Sequence, residues 1–234
     1  MKALVLGGTA EARQLVDALG EKAMLSLAGV TRKPLSIPHR TGGFGGAEGL
    51  AAFLRAERFQ CVIDATHPFA AQMSQNAFEA ARLQAMPLLR LERPAWPYEP
   101  EWLEAKSLSG AAKAIPAGAR VFLSVGRQSL GAFGGRGDVW SLTRSIEPPL
   151  QAPFGEVISQ RPPFSLQNEL DLMVTHNITH LVSKNAGGEA TRAKLDAANQ
   201  LGVKVIMVKR PRLPEVLTVE TAAEAVKWVK NLGE

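Results

Sequence analysis

The sequence predicts an α/β protein built as two Rossmann-like, doubly wound parallel-sheet domains facing a central cleft. Three observations predict it. Apolar runs of strand length alternate with single amphipathic segments of helix length. Glycine-rich or polar turns follow several of the strands. Two stretches, 62–94 and 181–211, repeat one strand–helix–strand order, and both end in Arg-Pro. Strands alternating with single helices read as βαβ units of a parallel sheet. Ligands of such sheets bind beyond the carboxyl ends of the strands.

Each element has its own warrant. Ala3–Leu6 is a short apolar strand that runs into Gly7-Gly8-Thr9. Ala12, Leu15, Val16 and Leu19 then recur at helical spacing until Gly20 stops the helix. Met24–Val30 is the second strand. Pro34 and Pro38 punctuate a loop, and residues 42–46 form a glycine turn. Glu48–Arg58 is a helix with Leu50, Phe53 and Leu54 inward. Cys61–Ala65 is a strand, Ala70–Gln84 a helix and Pro87–Leu91 a strand. Residues 93–106 hold Pro94, Pro97 and Pro100 with Trp96, Tyr98 and Trp102, and read as a linker. This predicts a first domain of 1–98 and a second of 99–234. In the second, Arg120–Val125, Val139–Arg144, His180–Ser183 and Val203–Val208 are strands. Leu166–Thr175, Glu189–Leu201 and Ala222–Leu232 are helices, the last able to pack across the boundary.

Composition narrows the function. The 234 residues are 46% hydrophobic and 21% charged, which is ordinary globular usage. No apolar run approaches the roughly 18 residues of a membrane span. The start lacks the long apolar region of a signal peptide. The expectation is a cytoplasmic protein with no membrane partner. A single cysteine, Cys61, excludes an internal disulfide or a thiolate metal cluster. The net charge of +5 suits an anionic cofactor or a polycarboxylate substrate. No Lys/Arg run reaches five residues and only 6% of residues are aromatic, so no nucleic-acid partner is expected. Oligomeric state is not legible; a monomer is compatible.

The chemistry-bearing turns fall at strand ends. Gly7-Gly8-Thr9-Ala10-Glu11 sits at the first strand–helix junction, where glycine admits a pyrophosphate and the helix start supplies amides. Gly8, Thr9, Ala10 and Glu11 are therefore cofactor candidates, and Gly43 of the later glycine turn joins them. The second strand ends Val30-Thr31-Arg32-Lys33 with no acid near. Arginine or lysine at this point, Arg32 or Lys33, suits a 2′-phosphate, which favours NADPH over NADH and argues against S-adenosylmethionine. Asp64-Ala65-Thr66-His67-Pro68 ends a buried strand and opens a helix, with Thr66 as a possible cap and Pro68 in the first turn. In a Rossmann-like domain this strand end, with Asp64 and Thr66, lies near the nicotinamide, and His67 there is a candidate to bind substrate or move a proton. Lys184-Asn185-Ala186-Gly187-Gly188 is the matching turn of the second half. Ser124-Val125-Gly126-Arg127 is a third, and Lys194 projects from the helix that follows Gly188. With Arg90 and Arg93 these place many cations on one rim, as a polycarboxylate would require. Lys184 is a second proton-donor candidate.

Other constellations fall away. Tyr98 lacks the lysine of a Tyr-x-x-x-Lys dyad, and no P-loop occurs. His176 and His180 lie in what reads as a loop before a strand, so no metal site is expected.

Taken together, Gly-Gly-Thr-x-Glu-Ala, Asp-Ala-Thr-His-Pro-Phe-Ala, Arg90-x-x-Arg93-Pro94-x-Trp96, Gly126-Arg127 and Lys184-Asn185-Ala186-Gly187-Gly188 resemble the precorrin-6A reductase family of cobalamin biosynthesis. Ala186 stands where that family often has serine. The resemblance spans almost the whole chain. It implies NADPH-dependent reduction of a carbon–carbon double bond in a corrin-type tetrapyrrole, precorrin-6A to precorrin-6B. It also implies that Gly8, Thr9, Glu11, Thr31 and Arg32 hold NADPH, that Asp64, Thr66 and His67 lie at the nicotinamide and substrate, and that Arg93, Trp96, Arg127, Lys184, Asn185, Gly187 and Gly188 line the macrocycle side. Two alternatives stay open on sequence: a non-catalytic nucleotide- or tetrapyrrole-binding protein, and an NADPH reductase of another polyanionic small molecule.

Overall fold

The computed structural model describes residues 2–29, 38–146 and 154–233. Its elements run β1 (Ala3–Leu6), α1 (Ala10–Leu19), β2 (Ala23–Leu27), β3 (His39–Thr41), α2 (Ala47–Ala56), β4 (Cys61–Asp64), α3 (Ala71–Leu83) and β5 (Leu88–Leu91). They continue with β6 (Leu103–Ala105), α4 (Leu108–Ala114), β7 (Arg120–Ser124), β8 (Trp140–Ser145), β9 (Gly155–Ser159) and α5 (Leu166–Thr175). Last come β10 (His180–Lys184), α6 (Ala193–Leu201), β11 (Lys204–Val208), β12 (Leu217–Val219) and α7 (Ala222–Asn231).

These elements form two compact units, Met1–Pro94 with Pro211–Glu234, and Ala95–Arg210. The first holds a six-stranded sheet in the order β12-β5-β4-β1-β2-β3. The second holds another in the order β6-β11-β10-β7-β8-β9. Every pairing is parallel. The two orders are one topology, with β12 in the place of β6. The first unit takes its outermost strand, β12, from beyond the second chain crossing, whereas the second unit is continuous and opens with β6. The crossings fall at the two Arg-Pro pairs, Arg93-Pro94 and Arg210-Pro211.

The expected second domain of 99–234 is therefore corrected at both ends. Residues 95–98 join the second unit, and everything after Arg210 returns to the first. Packing explains the return. β12 pairs with β5, and α7 lays Ala225 and Val229 into the core formed by Ala12, Leu15 and Val16 of α1. α7 is held at its start by a capping box, with Thr221 and Glu224 bonding each other's backbone amides. Alternation along β1 gives the first sheet its two buried faces. Ala3 and Val5 face α1 and α7, while Leu4 and Leu6 face Leu50, Leu54, Ala77 and Ala80 of α2 and α3. In the second unit Phe122, Leu142, Leu181, Val205 and Met207 pack against Met173, Leu195 and Ala198.

Two further readings are corrected. The expected linker 93–106 contains strand β6, and the expected helix Glu189–Leu201 divides into a 3-10 turn, Glu189–Thr191, and α6.

Candidate functional site

The strand order of the first unit reverses between β1 and β4. β1 connects through α1 to β2 on one side, and β4 connects through α3 to β5 on the other. A crevice opens at the carboxyl ends of strands where the order reverses in this way. The Gly7–Thr9 turn and the Asp64–Thr66 turn flank it.

Gly7 donates its amide to the Ser26 carbonyl at 2.8 Å. A Cβ there would lie 2.4 Å from Leu25 Cδ1, so any side chain at this position would push the buried Leu25 aside. Gly8 has φ +143°, and a Cβ on it would meet nothing within 4 Å. Its backbone is thus open to an approaching group. Thr9, the cap of α1, accepts from the Ala12 amide at 3.1 Å and donates to the Ala65 carbonyl at 2.9 Å. Its hydroxyl ties the two turns together, and the Ala10 and Glu11 amides head the helix. Glu11 receives Arg93 Nη1 at 3.0 and 3.3 Å, so an expected cofactor residue and an expected substrate residue are paired with each other.

Asp64 is 2% exposed. Its Oδ1 accepts from the Thr66 hydroxyl at 2.7 Å and the Thr66 amide at 3.3 Å. Thr66 therefore does not cap the following helix. That helix begins at Ala71, with no side-chain cap, and Pro68 lies in the turn before it. His67 Nδ1 accepts from the Phe69 amide at 3.2 Å, which leaves Nε2 as the ring's donor. Asp64 Oδ2 stands 3.5 Å from Arg90 Nε, and neither atom has a hydrogen-bond partner. Arg90, expected on a solvent-facing rim, is 7% exposed and donates from Nη1 to the Pro214 carbonyl at 2.9 Å. Asp64, Thr66, His67, Ser74, Arg90 and Glu92 border a shallow, open depression.

Thr31 and Arg32, expected at the end of the second strand, lie outside the described residues. The described cation there is Arg40 of β3, which sequence reasoning does not single out. Its Nη1 donates to Ser26 Oγ and the Gly42 carbonyl, each at 3.0 Å, and its Nη2 to the Gly43 carbonyl at 3.1 Å. One signal for it does exist: a basic residue just before the glycine turn.

The second unit has the corresponding reversal between β7 and β10. Ser124 ends β7, and Gly126, at φ +80°, leads into a 3-10 turn over Arg127–Phe133. Lys184 ends β10, and its burial pushes the ammonium pKa below the usual lysine value. Asn185 commits its side-chain amide to Trp96, accepting from the backbone N–H at 2.8 Å and donating to the carbonyl at 3.1 Å. Trp96 Nε1 donates to the Gly188 carbonyl at 3.1 Å. Gly187 and Gly188 have φ of +69° and +80°. Arg210 braces the turn by donating to the carbonyls of Asn185 and Ala186 at 2.9 and 3.2 Å. Lys194 is 5% exposed, bonds the Thr191 carbonyl at 3.0 Å and lies 5.0 Å from the Trp96 ring centroid. Asn185, Trp96, Gly188 and Lys194, expected to face a ligand, thus hold one another.

The model of the family Precorrin-6x reductase CbiJ/CobK matches residues 2–230. The chain belongs to that family. A precorrin-6A reductase of Rhodococcus erythropolis is 46% identical, covering 98% of this chain and 97% of its own. One of Rhodobacter capsulatus is 41% identical, covering 98% and 96%. A solved structure, CobK precorrin-6A reductase, superposes with a TM-score of 0.91 at 39% identity, over 100% of this chain and 98% of that one.

Membership in this reductase family gives the crevice of the first unit a chemical meaning. The residues present fit a dinucleotide. Gly8 offers a clear approach, and a ten-residue helix starts beside it with first-turn amides that no intrahelical carbonyl takes up. Among the described residues no group of three or more His, Cys, Asp or Glu could hold a metal ion. None of their helices is long and apolar enough to cross a membrane.

Proposed function

We propose that this precorrin-6x reductase family member reduces one carbon–carbon double bond of precorrin-6A to give precorrin-6B, with NADPH as the reductant, in cobalamin biosynthesis. The observation that carries this reading is the 46% identity over nearly the full length to a protein named precorrin-6A reductase. The first unit holds the cofactor and the second grips the macrocycle. The absence of an acid favours the phosphorylated dinucleotide: Ala28 and Gly29 follow β2, and Arg40 stands beside its end.

When bound, NADPH supplies a hydride. The Gly8 backbone and the amides of Ala10 and Glu11 would hold its pyrophosphate. Asp64 fixes the Thr66 turn, and that turn aims His67, whose Nε2–H is a hydrogen-bond donor at the end of β4. Arg127 and the amides of the Gly187–Gly188 turn would bind substrate carboxylates. The reduction needs one proton for the carbon adjacent to the one that receives hydride. Lys184 is the better donor, because its burial makes it release a proton more readily than an ordinary lysine.

The test is anaerobic NADPH oxidation with metal-free and with cobalt-loaded macrocycle. Oxidation with the metal-free compound is expected, and none with either would overturn the reading. In Lys184→Ala, kcat should fall much more than KM rises. A raised KM at unchanged kcat would make Lys184 a carboxylate grip instead.

A further inference from the structure

We propose that Arg40 sets the preference for a 2′-phosphorylated dinucleotide, a role that rests on the NADPH reading. Register places Arg40 directly beside Ser26, at the carboxyl end of β2. Ser26 is also the residue whose carbonyl receives the Gly7 amide, so Arg40 is one strand away from the glycine turn. In a sheet of this order, a dinucleotide whose pyrophosphate sits at α1 extends its adenosine ribose over the end of β2. Arg40 is the described cation on that side of the crevice.

Its guanidinium is held in place. Ser26 Oγ and the Gly42 and Gly43 carbonyls take three of its five N–H donors. Phe44 lies under it with 4.0 Å between ring centroid and Cζ, and Phe53 at 5.0 Å. Two donors remain, the number a bidentate phosphate contact uses. Arg40 is half-buried, so its charge is less screened than that of a surface arginine, while its outer edge still reaches solvent. The glycines beside it leave room. A Cβ on Gly43, Gly45 or Gly46 would meet nothing within 4 Å. A ribose 2′-hydroxyl carries no charge for Arg40 to meet, whereas a 2′-phosphate does. The residue therefore discriminates between two otherwise equal cofactors.

The experiment measures binding of NADPH and NADH to the full chain without macrocycle, by titration calorimetry, for wild type, Arg40→Ala and Arg40→Lys. Wild type should prefer NADPH. Arg40→Ala should weaken NADPH about tenfold or more and leave NADH within about twofold, the loss of a charge-assisted contact. Arg40→Lys should keep part of the preference, as a point charge without the fork. The ratio of the two affinities is insensitive to any fraction of unfolded variant. If both dinucleotides weaken equally in Arg40→Ala, the residue only props the glycine turn and the assignment falls. If Arg40→Ala keeps the wild-type preference while Arg32→Ala abolishes it, the phosphate belongs to Arg32 alone. If wild type binds neither dinucleotide, or both equally, the NADPH reading itself fails, and the Arg40 role with it.

Discussion

The two units share one sheet order, yet the turns at the ends of their equivalent strands differ. After β1 the chain makes an open glycine turn and a ten-residue α-helix capped by Thr9. After β7 it makes Gly126 and then a 3-10 turn with no side-chain cap. Aligned peptide dipoles sum over an α-helix, and a 3-10 turn offers poorer alignment and fewer free amides. Topology thus supplies two crevices, and local helix geometry gives the first the more free amides and the stronger dipole. The buried ion pairs differ in the same sense. Arg144 grips Glu169 with two bonds of 2.6 and 3.1 Å, and its guanidinium lies 4.0 Å from the Phe164 ring centroid. Asp64 and Arg90 stand 3.5 Å apart beside a depression, with the facing Oδ2 and Nε both without a hydrogen bond, whereas in the other pair only Arg144 Nε is left unbonded. The tight pair locks β8 to α5. The slack pair lies among the residues expected to work.

The comparison can be broken by stability measurements. Glu169→Ala should be the most damaging change, destabilising by roughly 3–5 kcal/mol in urea, because it strands a buried guanidinium. Asp64→Asn should cost less than half of that, since its pair is already loose, while lowering kcat/KM about tenfold or more. Equal stability losses in the two variants would erase the distinction between a clamp and a working pair.

Gly8→Ala and Gly126→Ala sharpen the contrast between the crevices. Both residues have positive φ, and an added Cβ on either meets nothing within 4 Å. Each substitution should cost about 1–2 kcal/mol of backbone strain. Gly8→Ala alone should also weaken NADPH binding, because its methyl group occupies the approach to the turn. A matching loss in Gly126→Ala would move the cofactor to the second unit.

A smaller effect tests the helix and strand ends. Removal of Thr221's cap in Thr221→Ala should cost about 1 kcal/mol, read as a lower melting temperature. The burial of Lys184 gives a pH signature. Its folded pKa is lowered, so the fold bears the cost of a buried charge at neutral pH and is relieved as pH rises through the lysine range near 10.4. Lys184→Met should therefore raise the melting temperature at pH 7, with the gain shrinking as pH climbs. A gain independent of pH would assign it to packing rather than charge.

How much is legible in the sequence depends on where each strand sits. Apolar patterning marks β1, β2, β4, β5, β7, β8, β10 and β11, which are the interior strands of the two sheets. It does not mark β3, β6, β9 and β12, which are the four edges. Interior strands are buried on both faces and read as apolar runs. Edge strands such as His39–Thr41 and Gly155–Ser159 face solvent and carry no such pattern. The site shows the same division. Gly7, Gly8 and Thr9 are legible because a strand–glycine–helix junction is a local feature. Arg40 is not, since its importance depends on β3 lying beside β2.

The sequence by itself determined the α/β class, the parallel units and the turns at which chemistry is carried, because period, glycine placement and helix starts are properties of neighbouring residues. It also recorded the two Arg-Pro pairs without disclosing their meaning. Tertiary structure alone decided that the chain crosses between units at those pairs and that the last helix packs on the first. It alone turned Asn185 onto Trp96, Glu11 onto Arg93 and Arg90 onto Asp64. Those outcomes depend on which side chains meet across the fold, and a buried polar group settles on whichever partner the packing brings within reach.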